Sequence, residues 1–262
     1  MQAAVRKREK NYLFSCMAAL ATFAIAWTGT TAATATSVSI GERMFEAIPP
    51  RGFVVTGVYH PDIKKQFEAA LPQGARLVEI YLPTQDFNTL HSGGVPKLDR
   101  VAQIGVLKAA EDKLLSNEGF AEVASVMEKG FANAPAGMTV LGTRAHEPWG
   151  LFYALQLADG PSGKTEVGAG LVVVDFQLLQ LMYFVDANRP NARSEADDGV
   201  LAWARALRDA NPDKPNLAAR AGKLDLGGSS GSADRAAFNI GRLLGIAFFA
   251  YLLYRFFRRR TN

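Results

Sequence analysis

Two long apolar stretches bracket this chain, and between them the hydrophobic pattern alternates between period two and the helical period. The first stretch, Tyr12 to Trp27, follows the basic run Arg6 to Lys10 and precedes small residues that include Ala33, Thr34 and Ala35 in an A-x-A pattern. That is the layout of a secretory signal peptide, or of an uncleaved signal anchor if Trp27 is taken as extending the apolar run. The second stretch is uncharged from Leu243 to Tyr254 and stops at Arg255, Arg258, Arg259 and Arg260. A helix of about 20 residues crosses a hydrocarbon core. Residues 236–257 supply one if Arg242 and Arg255 snorkel toward the two interfaces.

Between these stretches the predicted elements follow in order. Phe53 to Tyr59 (FVVTGVY) reads as a strand, because β-branched and aromatic residues dominate it. Pro61 suits the first turn of a helix whose apolar face is Ile63, Phe67, Ala70 and Leu71, and Pro72 and Gly74 stop it. Arg76 to Leu82 is the next strand, closed by Pro83. Thr84 to Lys97, with a proline and two adjacent glycines, predicts a loop. Asp99 to Leu107 reads as a strand, with helix left open for the residues after it. Ser116 caps a helix to about Phe131, whose stripe is Phe120, Val123, Val126, Met127 and Phe131.

The later part of the chain is richer in strands. Met138 to Ala145 and Trp149 to Ala158 are strands, and Asp159 to Gly163 turns the second of them into a long β-rich run from Val167 to Ala187. That run exceeds one ordinary strand, so it is either two strands turning near Asp175 to Gln177 or a single bent one. Glu195 to Ala210 is a helix with acidic residues first, Arg205 and Arg208 last, and Val200, Leu201, Trp203, Ala204 and Leu207 on its apolar face. Asn211 to Arg235, centred on GGSSGS, reads as a flexible tether of about 25 residues. The division is therefore 1–35 signal peptide or anchor, 36–210 folded domain, 211–235 tether, 236–257 transmembrane helix and 258–262 basic tail. Strands joined by hairpin-length links, with helices early, midway and last, make the domain α+β with a mainly antiparallel sheet packed with helices.

Charge and cysteine narrow the setting. The chain carries a net charge of +4, but its basic excess lies at the two ends and the part between them is net acidic. A nucleic-acid role, which needs a basic face on the folded part, is disfavoured. The arginine cluster after the second apolar stretch places the C-terminus in the cytoplasm and the domain outside. The single cysteine, Cys16, lies in the first apolar stretch, so the domain has no disulfide, thiol nucleophile or thiolate metal site. Nor does it fit a lipidation site, because the apolar run follows it. A disulfide-free domain outside the cytoplasm fits a bacterial envelope protein, in the inner membrane with its domain in the periplasm, better than a eukaryotic secreted one.

At QLLQLMYFVDA followed by EADDGVLAWARALRDANP the chain resembles the closing unit of PsbP-like domains, over the element order of roughly Phe53 to Ala210. The resemblance implies an α/β/α sandwich and a non-catalytic binding or accessory role, and it assigns no functional residue.

The candidate chemistry is sparse. Ala158, Gly163, Lys164 and Thr165 satisfy a permissive phosphate-loop pattern, but Glu166 onward reads as strand where a helix is required, which leaves a hairpin turn. Gly227, Ser229 and Gly231 match G-x-S-x-G inside the tether, without the strand and helix a nucleophile elbow needs. Of the histidines, His60 with Asp62, His91, and His146 with Glu147 lie in separate elements and form a site only if the fold brings them together. Asp175 is the one acidic group in the run Leu171 to Val185, where burial of a carboxylate would mark either a functional site or a turn. Gly241 and Gly245 form G-x-x-x-G, a close-packing surface for a homodimer. No catalytic, cofactor-binding or metal-ligating residue is assigned. The functional expectation is a membrane-anchored module that binds another envelope protein or a small ligand. The alternatives are an envelope hydrolase with a carboxylate or histidine site, and an assembly scaffold that dimerises through its anchor.

Overall fold

The computed structural model describes residues 35–223, apart from 70, 72–73 and 160–162. Both bracketing apolar stretches, the G-x-S-x-G pattern, Gly241 and Gly245 lie outside the described residues. Among the described residues no helix is long and apolar enough to cross a membrane.

The domain is α+β and its sheets are antiparallel. Strands β1 (Thr36–Ile40) and β2 (Arg43–Ala47) pair as a hairpin of their own. The remaining strands are β3 (Phe53–Val55), β4 (Ala75–Pro83), β5 (Arg100–Leu107), β6 (Met138–Glu147), β7 (Gly150–Asp159), β8 (Gly163–Val174) and β9 (Gln177–Asp186). They form one seven-stranded sheet in the order β3-β4-β5-β9-β8-β7-β6. The helices are α1 (Pro61–Ala69), α2 (Thr84–His91), α3 (Asn117–Gly130), α4 (Ala192–Ala210) and the single turn α5 (Pro215–Ala218).

The long β-rich run is two strands. Val174 pairs with Gln177, and the register continues without a break to Thr165 opposite Asp186. Asp175 and Phe176 form the connection with φ of 46° and 62°, the left-handed pair that a two-residue hairpin turn requires. The phosphate-loop match falls on the β7–β8 hairpin, where Asp159 opposes Gly163 and Lys164 and Thr165 lie within strand β8.

Period-two alternation in the central strands gives the sheet two apolar faces. Leu171, Val173, Met182 and Phe184 join one core with Phe67 of α1 and Phe120, Val123 and Met127 of α3. Val172, Val174, Leu181 and Val185 join another with Val200, Trp203 and Leu207 of α4 and Phe45 of the β1–β2 hairpin. Helix α4 approaches the sheet closely because two glycines leave room for it. A Cβ on Gly168 would lie 2.0 Å from the Ala196 carbonyl oxygen, and one on Gly199 would meet the Tyr183 ring at 3.0 Å. The Trp203 indole donates to the Ile48 carbonyl at 2.6 Å, tying α4 to the segment after the hairpin.

Several expected boundaries change. Residues 84–91 are helical, not a loop: Gly93 and Gly94 lie beyond that helix, and its buried Asp86 accepts from the Lys97 and Leu98 amides at 3.1 Å each. The strand expected to reach Tyr59 ends at Val55, because the Glu79 carboxylate takes the Gly57 amide out of the ladder at 2.7 Å. After β5 only Lys108–Ala110 turns, as a 3-10 segment. Helix α4 starts at Ala192, ahead of the expected Glu195. Residues 36–47, without an assigned element in the sequence reading, form a hairpin with Gly41 at φ 58° in its turn. Residues 211–223, expected as the start of a flexible tether, are packed on the domain. Asn211 bonds to both main-chain groups of Glu46, and Gly222 forms a parallel bridge with Leu115. Local polarity suggested a free linker there, and side-chain and backbone partners elsewhere in the chain hold it.

Candidate functional site

The sequence-derived candidates separate into three places. Asp175 is buried at the β8–β9 turn. Its carboxylate accepts from the Lys214 amide at 3.0 Å and pairs with the Lys214 ammonium at 2.9 Å, while its carbonyl accepts from Arg43 at 2.9 Å. These contacts bind the turn to β2 and to the segment after α4. They use both carboxylate oxygens, so Asp175 acts as a tie.

His146 and Glu147 lie on β6, one edge of the sheet. His146 is exposed, and Glu147 faces Arg205 of α4 at 3.6 Å. The opposite edge, β3, leads to His60. No site joins the two edges.

His60 and His91 do meet. His60 lies just before α1 and His91 ends α2, and their rings are 5.8 Å apart, edge to face. Phe87, one turn before His91, stacks on it at 5.8 Å and meets the His60 ring at 5.6 Å. Tyr59 meets the Phe87 ring edge to face at 5.6 Å. The Nε2 atom of His60 is buried with no hydrogen-bond partner, a costly state for an imidazole nitrogen. Asp62 is exposed on α1 and completes no triad with the pair. Among the described residues, no group of three or more histidine, cysteine or carboxylate side chains is placed to hold a metal.

Beside this aromatic cluster, α1, α2, the end of β4 and residues 94–98 frame a cleft of about 220 Å³. Ile63 and Phe67 of α1, Leu82 of β4, Leu90 of α2, and Val95 and Leu98 line it. No charged or hydrogen-bonding side chain does so. The cleft's position follows from the strand register. Leu82 and Leu98 lie near the sheet end where Pro83 opposes Phe53 and Arg100 opposes Val185; the Asp175–Phe176 turn lies at the other end. Leu98 holds a left-handed φ of 53°, and the Asp86 carboxylate accepts its amide. Val58, Tyr59 and Val95, among the few large apolar residues that are exposed, are 55%, 59% and 62% accessible.

Two further features went unread in the sequence. Glu79, the one carboxylate within RLVEIYL, is fully buried where the β4–β5 register shifts. Its Oε1 accepts from Gly57 and Ile80 amides at 2.7 and 2.9 Å, and Lys64 stands 3.9 Å from Oε2. Burial pushes its pKa up, against the pull of the Ile80 amide, Lys64 and the Gly57 amide. The carboxylate replaces backbone partners where β3 stops, which is a structural role. On the α4 face, Pro49, Pro50, Tyr183, Glu195 and Trp203 surround a second hollow of about 260 Å³. Glu195 there pairs with Arg100 at 3.1 Å and with Arg189 at 3.5 Å. Arg51, which also lines the hollow, forms no ion pair among the described residues.

No protein-family model matches the chain, and no curated protein matches it. Among solved structures, the Saccharomyces cerevisiae Ran-binding protein Mog1p is similar at a TM-score of 0.31 and 13% identity, over 68% of this chain and 90% of that one. A mutant form of Mog1 is similar at a TM-score of 0.31 and 12% identity over the same shares. Likeness this faint carries no inference about fold or function.

Proposed function

We propose that this chain is a single-pass protein of a bacterial inner membrane whose periplasmic domain is a non-catalytic binding or accessory module. Residues 1–35 are its signal peptide or anchor, residues 236–257 its transmembrane helix and residues 258–262 its cytoplasmic tail. The domain engages another envelope protein or a small ligand, and helices on both faces of the sheet support its reading as an α/β/α sandwich of the PsbP-like kind. The observation that carries the binding role is the apolar cleft, open between α1 and α2 with exposed Val95 on its rim. Such a hollow costs a free protein dispersion contacts and is offset when an occupant fills it.

The hydrolase reading is second. Its supporting observation is the meeting of His60 and His91, with one buried unpartnered nitrogen. Against it, the carboxylates it would need are engaged elsewhere: Glu147 with Arg205, Asp175 with Lys214. Dimerisation through Gly241 and Gly245 is a separate proposal. It predicts that Gly245→Ile lowers the oligomeric state of the detergent-extracted protein, and an unchanged state removes it.

Native mass spectrometry of the full-length protein, gently extracted from its own membrane, tests the binding role. A retained ligand or second protein, lost in Leu90→Trp, supports it. A bare chain that hydrolyses ester substrates, with activity abolished in His60→Ala, replaces it with the hydrolase.

A further inference from the structure

The stretch that follows helix α4 is held differently from the rest of the fold. Between Asn211 and Lys223 only Leu217 is buried, whereas α4 buries Ala192, Ala196, Val200, Trp203, Ala204 and Leu207. The other ties of this stretch are polar and start from exposed or half-buried residues. The Asn211 side chain exchanges two bonds with the main chain of Glu46, at 2.8 and 3.0 Å. Lys214 meets the Asp175 carboxylate with both its amide and its ammonium. Gly222 donates to the Leu114 carbonyl at 2.9 Å and accepts from the Ser116 amide at 2.8 Å, and Lys223 pairs with Glu122 of α3. A segment with one buried apolar side chain and solvent-exposed bonds opens at lower free energy than the core. The β8–β9 turn has other support, since Arg43 donates to the Asp175 carbonyl at 2.9 Å and the Leu115 amide to the Phe176 carbonyl at 2.8 Å.

The segment ends far from the cleft. Gly222 lies against Leu115, beside the Asp175–Phe176 turn, while the cleft lies toward the sheet end where Arg100 opposes Val185. The ten residues of β9 put roughly 30 Å between those ends. Residues 224–235 separate Lys223 from the proposed transmembrane helix, and fully extended they span at most about 40 Å. Counted from Asn211, the same connection spans at most about 85 Å.

Resting on the membrane reading, we infer that residues 211–223 are a releasable strap that sets how far the cleft can stand from the bilayer. Docked, the strap leaves only residues 224–235 to join the domain to the membrane. Released, it roughly doubles that reach, so the cleft meets partners that the docked form cannot. Lys214 and Lys223 are exposed members of their ion pairs, so added salt favours release.

The test uses the full-length protein in lipid nanodiscs, with Cys16→Ser, a donor dye on Val95→Cys at the exposed rim of the cleft, and acceptor dyes on lipid headgroups. Hydrogen exchange is followed on the same samples. Residues 211–223 should exchange at least about tenfold faster than α4. Asp175→Asn keeps an acceptor for the Lys214 amide and tolerates the left-handed turn, but removes the charge; exchange of the strap should rise about threefold. Leu217→Ser removes the buried anchor and should raise it about tenfold or more, with α4 unchanged and energy transfer from position 95 lowered. Raising salt from about 0.05 to about 0.5 M should move the wild type in the same direction. A strap that exchanges as slowly as α4 overturns the inference, and so does energy transfer that stays constant while strap exchange accelerates. In either case, a protein that resists extraction by alkaline carbonate leaves the membrane reading standing. A protein that carbonate strips from the membrane removes both.

Discussion

The two faces of the seven-stranded sheet are covered in opposite ways. On one, the 19-residue helix α4 lies directly on β8 and β9, so close that a methyl group added to Gly168 of β8 would collide with the helix backbone and one added to the helix's own Gly199 would crowd the Tyr183 ring. On the other, α1, α2 and α3 divide the cover, and between the first two a cleft remains with exposed apolar side chains about it. The α4 face has a hollow of its own, but Tyr183 and Glu195 give that one a polar lining, whereas the cleft on the other face is lined by apolar side chains alone. Close packing therefore concentrates stability at the α4 contact and leaves unfilled apolar space on the other face.

Substitutions separate the two roles. The largest effect is expected from Gly168→Ala, which forces α4 away from β8 and should lower unfolding free energy by about 3 kcal/mol in urea titration. A loss below about 1 kcal/mol would mean that α4 floats more freely than the geometry says. Next comes alkaline titration of the same face. Burial, with the Glu195 carboxylate beside it, pushes the Tyr183 phenol from 10.0 up to about 12, with Arg100 and Arg189 opposing. Its folded pKa is raised, so its contribution is complete below the unfolded value and is lost as pH rises through the folded one. Over that interval stability should fall by about 1.4 kcal/mol per pH unit from this group, and Tyr183→Phe should make the decline shallower. An unchanged slope would show that the phenol is wetter than its buried position implies.

On the open face the effects shrink. The Ser116 hydroxyl caps α3 by accepting the Gly119 amide at 3.1 Å, so Ser116→Ala should cost about 1 kcal/mol in the same titration. Val95→Ser sharpens the contrast most. It should change stability by less than about 0.5 kcal/mol, because the side chain is exposed, while it weakens whatever the cleft holds.

How far the sequence revealed this depended on the periodicity of each element. The runs now seen as β8, β9, α3 and α4 were legible because each carries a long unbroken pattern, and the Ser116 cap was legible from a single hydroxyl at the right offset. Helix α2 was hidden because its apolar face holds only Phe87 and Leu90 and its buried polar residue, Asp86, satisfies loop amides eleven and twelve residues on. The cleft was hidden for a different reason. Ile63, Leu82 and Leu90 come from three elements and Leu98 from a loop, and no spacing along the chain signals that they share a surface. His91 could be placed beside Phe87 by helical spacing once α2 was known, but His60 reaches them only through the turn that Glu79 enforces. Glu79 itself left a signal that went unused: a lone carboxylate inside an apolar strand.

Hydrogen exchange of the full-length protein in its native membrane vesicles, compared with the purified and delipidated chain, tests most directly that the open face is the occupied one. The account predicts slower exchange in the vesicles for residues 59–67 and 87–98, with residues 196–207 of α4 exchanging alike in both. Equal exchange in the cleft segments, or protection that appears on α4 instead, would contradict it.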